Sequence, residues 1–203
     1  MSKRLIQATV LASSLSLLLI GCSQPATPSE AAEQSVSPAP ITEVAQPVAS
    51  STISVDQTAL KAEVSAQVDQ YQQAAQALVD QLKSSSDAVA LKGAAQALTE
   101  QSVPILAGFS TLHPTCAAYL QAAQAVLGKL DSISHQDIEQ QYHHDQALPS
   151  ASAECFHAKD LLVHPATVVV LLRDPSQLSA QREGMITEID EVIGHIGLVR
   201  QSI

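Results

Sequence analysis

The stretch LKAEVSAQVDQYQQAAQALVDQL, residues 60–82, predicts the fold class of this chain. Its apolar residues recur at intervals of three and four, which aligns them along one side of an α-helix and leaves polar side chains on the other. This stripe consists of Leu60, Val64, Val68, Tyr71, Ala75, Leu78 and Leu82. Asp56 is the predicted N-cap, and Ser84-Ser85-Ser86-Asp87 should end this helix and cap the next. A helix that is apolar on one side needs other helices to cover that side.

The same spacing continues to the end of the chain, divided by residues that start or stop helices. Proline is excluded from regular helix interiors and favoured in the first turn, and Ser or Asp side chains cap helix starts. The predicted boundaries are Pro104, which should bend or restart the second helix, His113-Pro114, Ser134 with Asp137, Pro149, His164-Pro165 and Asp174-Pro175. His164-Pro165 is expected to interrupt a segment that begins near Ala151.

Residues 167–172, TVVVLL, would read as a buried strand in isolation. Helices are predicted on every side and no partner strand is evident, so we predict a buried helix. Residues 57–203 are therefore expected to form an all-α domain, an antiparallel bundle of four to five helices with short connections.

A linker is predicted between this domain and the start of the chain, over residues 22–56. Five of the ten prolines lie between Pro25 and Pro47, among Ser, Thr, Ala and Glu. Such a segment has too few large apolar residues to offset the entropy lost on ordering. We expect a disordered, flexible spacer.

Residues 1–21 have the pattern of a secretory signal peptide, because Lys3 and Arg4 precede an apolar run too short to cross a bilayer permanently. The run ends in Leu19-Ile20-Gly21-Cys22, which resembles the lipobox of bacterial lipoproteins. The resemblance implies cleavage before Cys22, acylation of Cys22 by chains such as palmitate, and lasting membrane attachment. Ser23, where inner-membrane lipoproteins carry Asp, implies an outer-membrane anchor with the domain facing the periplasm.

The three cysteines fit this location. If Cys22 is lipidated, Cys116 and Cys155 remain as an even pair in an oxidising compartment. We predict a disulfide between them; the alternative is two separate buried thiols.

The charge of the chain excludes nucleic acid as a partner. Twenty acidic and ten basic residues give a net charge of −10, and loss of Lys3 and Arg4 with the signal lowers it to −12. Phosphate backbones require a basic surface. The partners we expect are the membrane, through the lipid anchor, and an envelope protein.

No motif for a P-loop, nucleophile elbow, zincin, dithiol or covalent haem attachment is present. We therefore predict a binding or envelope-interaction module rather than an enzyme. One alternative is a bundle that binds a divalent transition metal or a b-type haem through its histidines. The other is a hydrolase-like enzyme, which the missing motifs disfavour.

All seven histidines lie between residues 113 and 195. His135, Glu139 and His143 at i, i+4 and i+8 form the best metal-ligand set on one helix, and imidazole with carboxylate suits a transition metal. His157 and His164 are the predicted additional ligands. With Asp160 they stand at i, i+3 and i+7, the spacing that Glu188, Glu191 and His195 repeat.

These histidines also have simpler interpretations, which the sequence leaves open. The first set can be a solvated helix face. His113 and His164, each before a proline, can be helix-entry residues, and His195 can interact with the dipole at a helix C-terminus.

Overall fold

The computed structural model describes the backbone of residues 50–203 and the side chains of residues 56–203. The predicted signal peptide, the lipobox with Cys22 and most of the predicted linker lie outside the described residues. The described part is helical and contains no strand, which confirms the all-α prediction.

Four long helices form the body of a bundle. They are α1 (Ser50–Ser84), α2 (Ala88–Leu112), α5 (Ala153–Leu171) and α6 (Leu178–Ser202). Two shorter helices, α3 (Ala117–Gln124) and α4 (His135–Ile138), lie in the connection between α2 and α5. Each long helix packs against two others, in the order α1, α2, α5, α6 and back to α1.

Contacts between helix ends show that neighbouring long helices are antiparallel. Arg182, near the start of α6, donates to the carbonyl of Leu82 near the end of α1, and Arg200 near the end of α6 pairs with Asp69. The Cys116–Cys155 disulfide joins the chain just after α2 to the first turn of α5. The topology is therefore an up-down-up-down bundle, as predicted.

Helix α1 begins at Ser50, so the predicted N-cap role of Asp56 is wrong. No proline or glycine lies between Pro47 and Asp56, and nothing stops the helix from extending in that direction. From Val64 onward the predicted stripe is buried. Gly108 of α2 allows the two helices to approach closely, because a Cβ atom there would lie 2.4 Å from Val64 Cγ2.

Capping residues mark the helix starts as predicted. Asp87 accepts from the N–H groups of Val89 and Ala90, and Ser134 accepts from the N–H of Asp137. Asp174 caps the short 3₁₀ turn Pro175–Gln177 that leads into α6. These side chains pair N–H groups that have no partner within the helix.

Helix α5 is the central element of the fold. Residues 158–170 are all buried, because α2 and α6 pack beside α5 and the α2–α5 connection covers its remaining side. Residues 167–171 are helical, which confirms the helix interpretation of the apolar run. Because this run is covered on all sides, it has no polar face and shows no stripe.

The predicted interruption at His164-Pro165 is wrong, since α5 continues through both residues. Pro165 has no N–H to donate to the carbonyl of Leu161, four residues earlier. The Tyr71 hydroxyl of α1 donates to this carbonyl instead, at 2.6 Å. The proline is tolerated because a side chain from another helix replaces the missing backbone donor.

Helix α2 likewise continues through Pro104 instead of restarting there. Pro104 is exposed, so the backbone carbonyl that it leaves without a helical donor lies on the solvent side of α2.

Among the described residues, no single helix is both long and apolar enough to span a membrane. One pair, Ala153–Leu171 with Pro175–Ser202, meets that criterion jointly but is bent by 99° between its two parts.

Candidate metal centre

Two polar stripes face each other between α5 and α6. The α5 stripe is His157, Asp160 and His164, and the α6 stripe is Glu188, Glu191 and His195. Residues at i, i+3 and i+7 share one side of a helix. Because α5 stays regular through Pro165 and runs antiparallel to α6, the two stripes meet along their length.

Each stripe supplies a histidine that contacts a carboxylate of the other. His164 Nδ1 lies 2.8 Å from Glu188 Oε2 and 3.9 Å from Glu191 Oε2. His195 Nδ1 lies 2.7 Å from Asp160 Oδ2. His164 is fully buried, whereas Glu191 is half exposed. The cluster therefore extends from the core to the surface.

The connection between α2 and α5 adds a third side to the cluster. Residues Glu139–His143 form a π-helical turn after α4, closed by the N–H of His144 donating to the carbonyl of Glu139 at 2.8 Å. Within this turn His143 Nδ1 lies 2.9 Å from Glu139 Oε2. Such π turns occur frequently at functional sites.

Five imidazole rings form a continuous chain across these three elements. Their centroids are 5.2 Å apart for His144 and His143, 4.7 Å for His143 and His164, 5.6 Å for His164 and His195, and 5.1 Å for His195 and His157. We call these five residues, with Glu139, Asp160, Glu188 and Glu191, the histidine cluster.

Lys159 fixes the π-helical turn against α5. Its buried Nζ donates to the carbonyls of Tyr142 and His143 and to Asp145 Oδ1, each at 3.0 Å, and lies 3.1 Å from Asp160 Oδ1. Asp145 has a left-handed backbone with φ of 59°. Lys159 is a positioning residue, because it orients the backbone that carries His143.

Three buried ring nitrogens of the cluster have no hydrogen bond among the described residues: His164 Nε2, His157 Nδ1 and His195 Nδ1. His195 Nδ1 is nevertheless paired with Asp160 Oδ2 at 2.7 Å, which leaves His164 Nε2 and His157 Nδ1 as the two without an ion-pair contact. A buried imidazole nitrogen without a partner is costly, and such atoms are rare in folded proteins. These two nitrogens are therefore available as metal ligands.

Contacts on the Nδ1 atoms of two histidines determine which nitrogen of each ring faces a ligand. Carboxylates hold the Nδ1 atoms of His143 and His164, which leaves the Nε2 atom of each ring to face a ligand. Metal-binding histidines commonly have this arrangement, because the carboxylate orients the ring and increases its basicity.

The pKa values of Asp160 and His195 shift in opposite directions. Burial raises the pKa of the Asp160 carboxyl, but the contact with His195 and the charges of Lys159 and His164 outweigh it, so the pKa is lower than usual. The pKa of His195 is raised by its contact with Asp160, against the opposing effect of burial. The pair favours the charged form of both groups.

The predicted cysteine pair lies next to the cluster. Cys116 and Cys155 form a disulfide with their Cα atoms 5.4 Å apart. Because Cys155 is two residues before His157, the bridge holds the turn of α5 that carries this histidine. Both sulfurs are used in the bridge and are not metal ligands.

Of the five predicted metal ligands, the structure brings four into the cluster: Glu139, His143, His157 and His164. His135 lies at its edge, half exposed, with Nε2 3.8 Å from Glu139 Oε1. The predicted helix-entry role of His164 is wrong, since this residue is in the interior of α5. His113, by contrast, does contact backbone at a helix end, with Nε2 2.8 Å from the carbonyl of Ser202.

The predicted ligand set did not include His144, Asp160, Glu188, Glu191 and His195. The signal for most of them was the i, i+3, i+7 spacing shared by α5 and α6. Spacing alone did not show that the two stripes face each other.

A haem does not fit this geometry. His143, His164 and His195 are in direct ring contact, so a porphyrin between any two of them would have to separate α5 from its neighbours. Metal ions need no such opening, because imidazole and carboxylate ligands bind them at about 2.0–2.2 Å.

Comparisons with protein-family models, with curated proteins and with solved structures find no match to this chain.

Proposed function

We propose that this chain is a lipid-anchored envelope protein whose helical domain binds divalent transition-metal ions in the histidine cluster. The proposal rests on the surroundings of the His164 ring. The ring is fully buried, its Nδ1 is held by Glu188 at 2.8 Å, and its Nε2 has no partner among the described residues.

A purely structural role explains His164 poorly. A buried histidine that serves the core normally has both nitrogens paired, because each unpaired polar atom reduces stability by about 1–3 kcal/mol. Here one nitrogen is unpaired and four more imidazoles lie in a continuous chain with His164. A metal ion would provide the missing partner.

The ligand types indicate the class of metal. Imidazole with carboxylate suits zinc, copper(II), iron(II) and nickel, whereas calcium and magnesium prefer oxygen ligands alone. The disulfide removes the thiolates that would favour copper(I). The expected ligands are thus those of a borderline divalent ion.

The placement in the envelope rests on the sequence. The Leu19-Ile20-Gly21-Cys22 lipobox supports an acyl anchor, and Ser23 supports the outer membrane with the domain facing the periplasm. Because the sequence contains no P-loop, nucleophile-elbow or zincin motif, the function we propose is that of a binding module rather than an enzyme. An envelope protein that delivers or receives the metal is the partner that this function implies.

Calorimetric titration of the purified, metal-free protein with Zn²⁺ and Cu²⁺ at pH 7.5 tests the proposal. We expect saturable binding at micromolar metal or below. In the variant His164→Gln affinity should fall by at least ~10-fold, since even loss of a residue that only supports a ligand has that effect.

His135→Ala is the matched control, because it removes an imidazole at the edge of the cluster and should retain affinity. Wild-type protein without saturable binding would refute the proposal. Equal affinity in wild type and His164→Gln would place the metal elsewhere.

A further inference from the structure

We propose that the histidine cluster holds two metal ions in adjacent sites, an inference that rests on the proposed function. The cluster contains two sets of ligands that share no residue. Site 1 is His143, His164 and Glu191; site 2 is His157, Asp160 and His195. Each set consists of two imidazoles and one carboxylate.

Both sets are compact enough for one ion each. The candidate ligand atoms of each set lie within 4.8 Å of one another. Ligands on opposite sides of one ion are about 4 Å apart at the usual bond lengths. Small rotations of the side chains therefore suffice to close either set around an ion. Two imidazoles with one carboxylate leave further coordination positions open.

A third compact set does not add a third ion. Glu139, His143 and His144 also lie close together, but this set shares His143 with site 1. It offers an alternative position near the surface for the same ion, since His144 is exposed.

The two sites are adjacent but built from different elements. Site 1 combines the π-helical turn with α5 and α6, whereas site 2 lies on α5 and α6 alone. They meet where the rings of His164 and His195 are in contact, with centroids 5.6 Å apart.

Charge balance favours two ions over one. The histidine cluster and the neighbouring Lys159–Asp145 ion pair together contain one ammonium group, from Lys159, and five carboxylates, from Glu139, Asp145, Asp160, Glu188 and Glu191. Imidazoles bind a metal in their neutral form and release any proton they carry, so in the metal-bound state these groups have a net charge of −4. Two divalent cations neutralise this charge, and a single one leaves half of it.

The charged groups around the two sites indicate which site binds a cation more tightly. Glu139 and Glu188 hold the Nδ1 atoms of the two site 1 histidines and add negative charge beside that site. At site 2 the Lys159 ammonium lies 3.1 Å from Asp160 and repels a cation. We therefore expect site 1 to fill first and site 2 to fill at higher metal concentration.

The test counts ions in the full-length mature protein. Metal-free protein is titrated with Cu²⁺, the ions per chain are counted by native mass spectrometry, and electron paramagnetic resonance reports coupling between ions. We expect two ions, filled in two steps, with an isolated copper spectrum after the first ion and a coupled spectrum after the second.

Two part-exposed ligands provide the variants. His143→Gln should remove the tighter ion and keep the weaker one, and His157→Gln should do the opposite. Both variants should bind one ion with no coupled signal. His135→Gln is the control and should bind two. Circular dichroism of each metal-free variant confirms that it is folded, and the wild-type count is decisive by itself.

The outcomes separate this inference from the proposed function. One ion per wild-type chain would overturn the two-site inference and leave the proposed function intact. Two ions that both disappear in either variant would overturn the assignment of separate sites. No bound copper in the wild type would overturn the proposed function, and the two-site inference with it.

Discussion

The hydrogen bond from Tyr71 to Leu161 should be worth far more than an ordinary surface contact. Burial raises the pKa of the Tyr71 hydroxyl well above its usual value, so the group is a permanent donor. Its acceptor is the carbonyl that Pro165 leaves without a helical donor. In Tyr71→Phe this buried carbonyl has no partner, and the free energy of unfolding should fall by about 1–3 kcal/mol.

A double-mutant cycle isolates this effect. In Pro165→Ala the backbone N–H of residue 165 is restored and can donate to the Leu161 carbonyl. In that background, Tyr71→Phe should therefore lower the free energy of unfolding by clearly less than it does in the wild type. The difference between the two costs is the coupling energy of the pair.

Urea denaturation followed by circular dichroism measures all four proteins, with linear extrapolation to water. The reasoning is refuted if Tyr71→Phe changes the free energy of unfolding by less than about 0.5 kcal/mol, within the usual range for neutral surface substitutions. It is also refuted if the hydroxyl is worth the same in both backgrounds.

Three further predictions follow from packing, electrostatics and the sequence. The pKa of Asp160 is lowered in the folded protein, so its contribution to stability is lost as the pH falls through that pKa. The pKa of His195 is raised, so its contribution is lost as the pH rises through that pKa. The contribution of this pair to the stability of the metal-free protein should therefore be complete between about pH 4 and 6.5, and urea denaturation of Asp160→Asn against pH should show a flatter profile than the wild type. Gly108→Ala should lower the free energy of unfolding by about 1–3 kcal/mol, because the added Cβ has no space. Gly93→Ala in the same helix is the control: nothing lies within 4 Å of its Cβ position, and the free energy of unfolding should rise by up to about 1 kcal/mol. Equal effects of the two substitutions would contradict the packing argument. Cys22→Ala should release the protein from the membrane fraction, and a variant that still sediments with membranes after carbonate washing would contradict lipid anchoring.

The helical bundle was predictable because its signals are local. Apolar residues three and four apart mark the buried side of α1 and α6, and Asp87, Ser134 and Asp174 mark helix starts. Each of these signals depends on neighbours within one or two turns. Tertiary contacts did not need to be known.

The path of α5 was not predictable for the opposite reason. A proline usually ends a helix, and the group that compensates for Pro165 is a hydroxyl on α1, far away in the sequence. The π-helical turn at Glu139–His143 is similar, because it depends on the buried Lys159 that binds two of its carbonyls.

The candidate site was predictable in part. The i, i+3, i+7 spacing on α5 and α6 is visible in the sequence, and four of the five predicted ligands lie in the cluster. That His195 meets Asp160, and that His143 reaches His164, depend on which helices are neighbours. Which helices are neighbours cannot be read directly from a single sequence.

X-ray diffraction at the zinc absorption edge, from crystals of the zinc-loaded protein, tests the central claim most directly. We predict anomalous density within bonding distance of His164 Nε2, with His143 and Glu191 as the neighbouring ligands. Zinc density confined to other residues, with His164 Nε2 bonded to water or to nothing, would contradict the account.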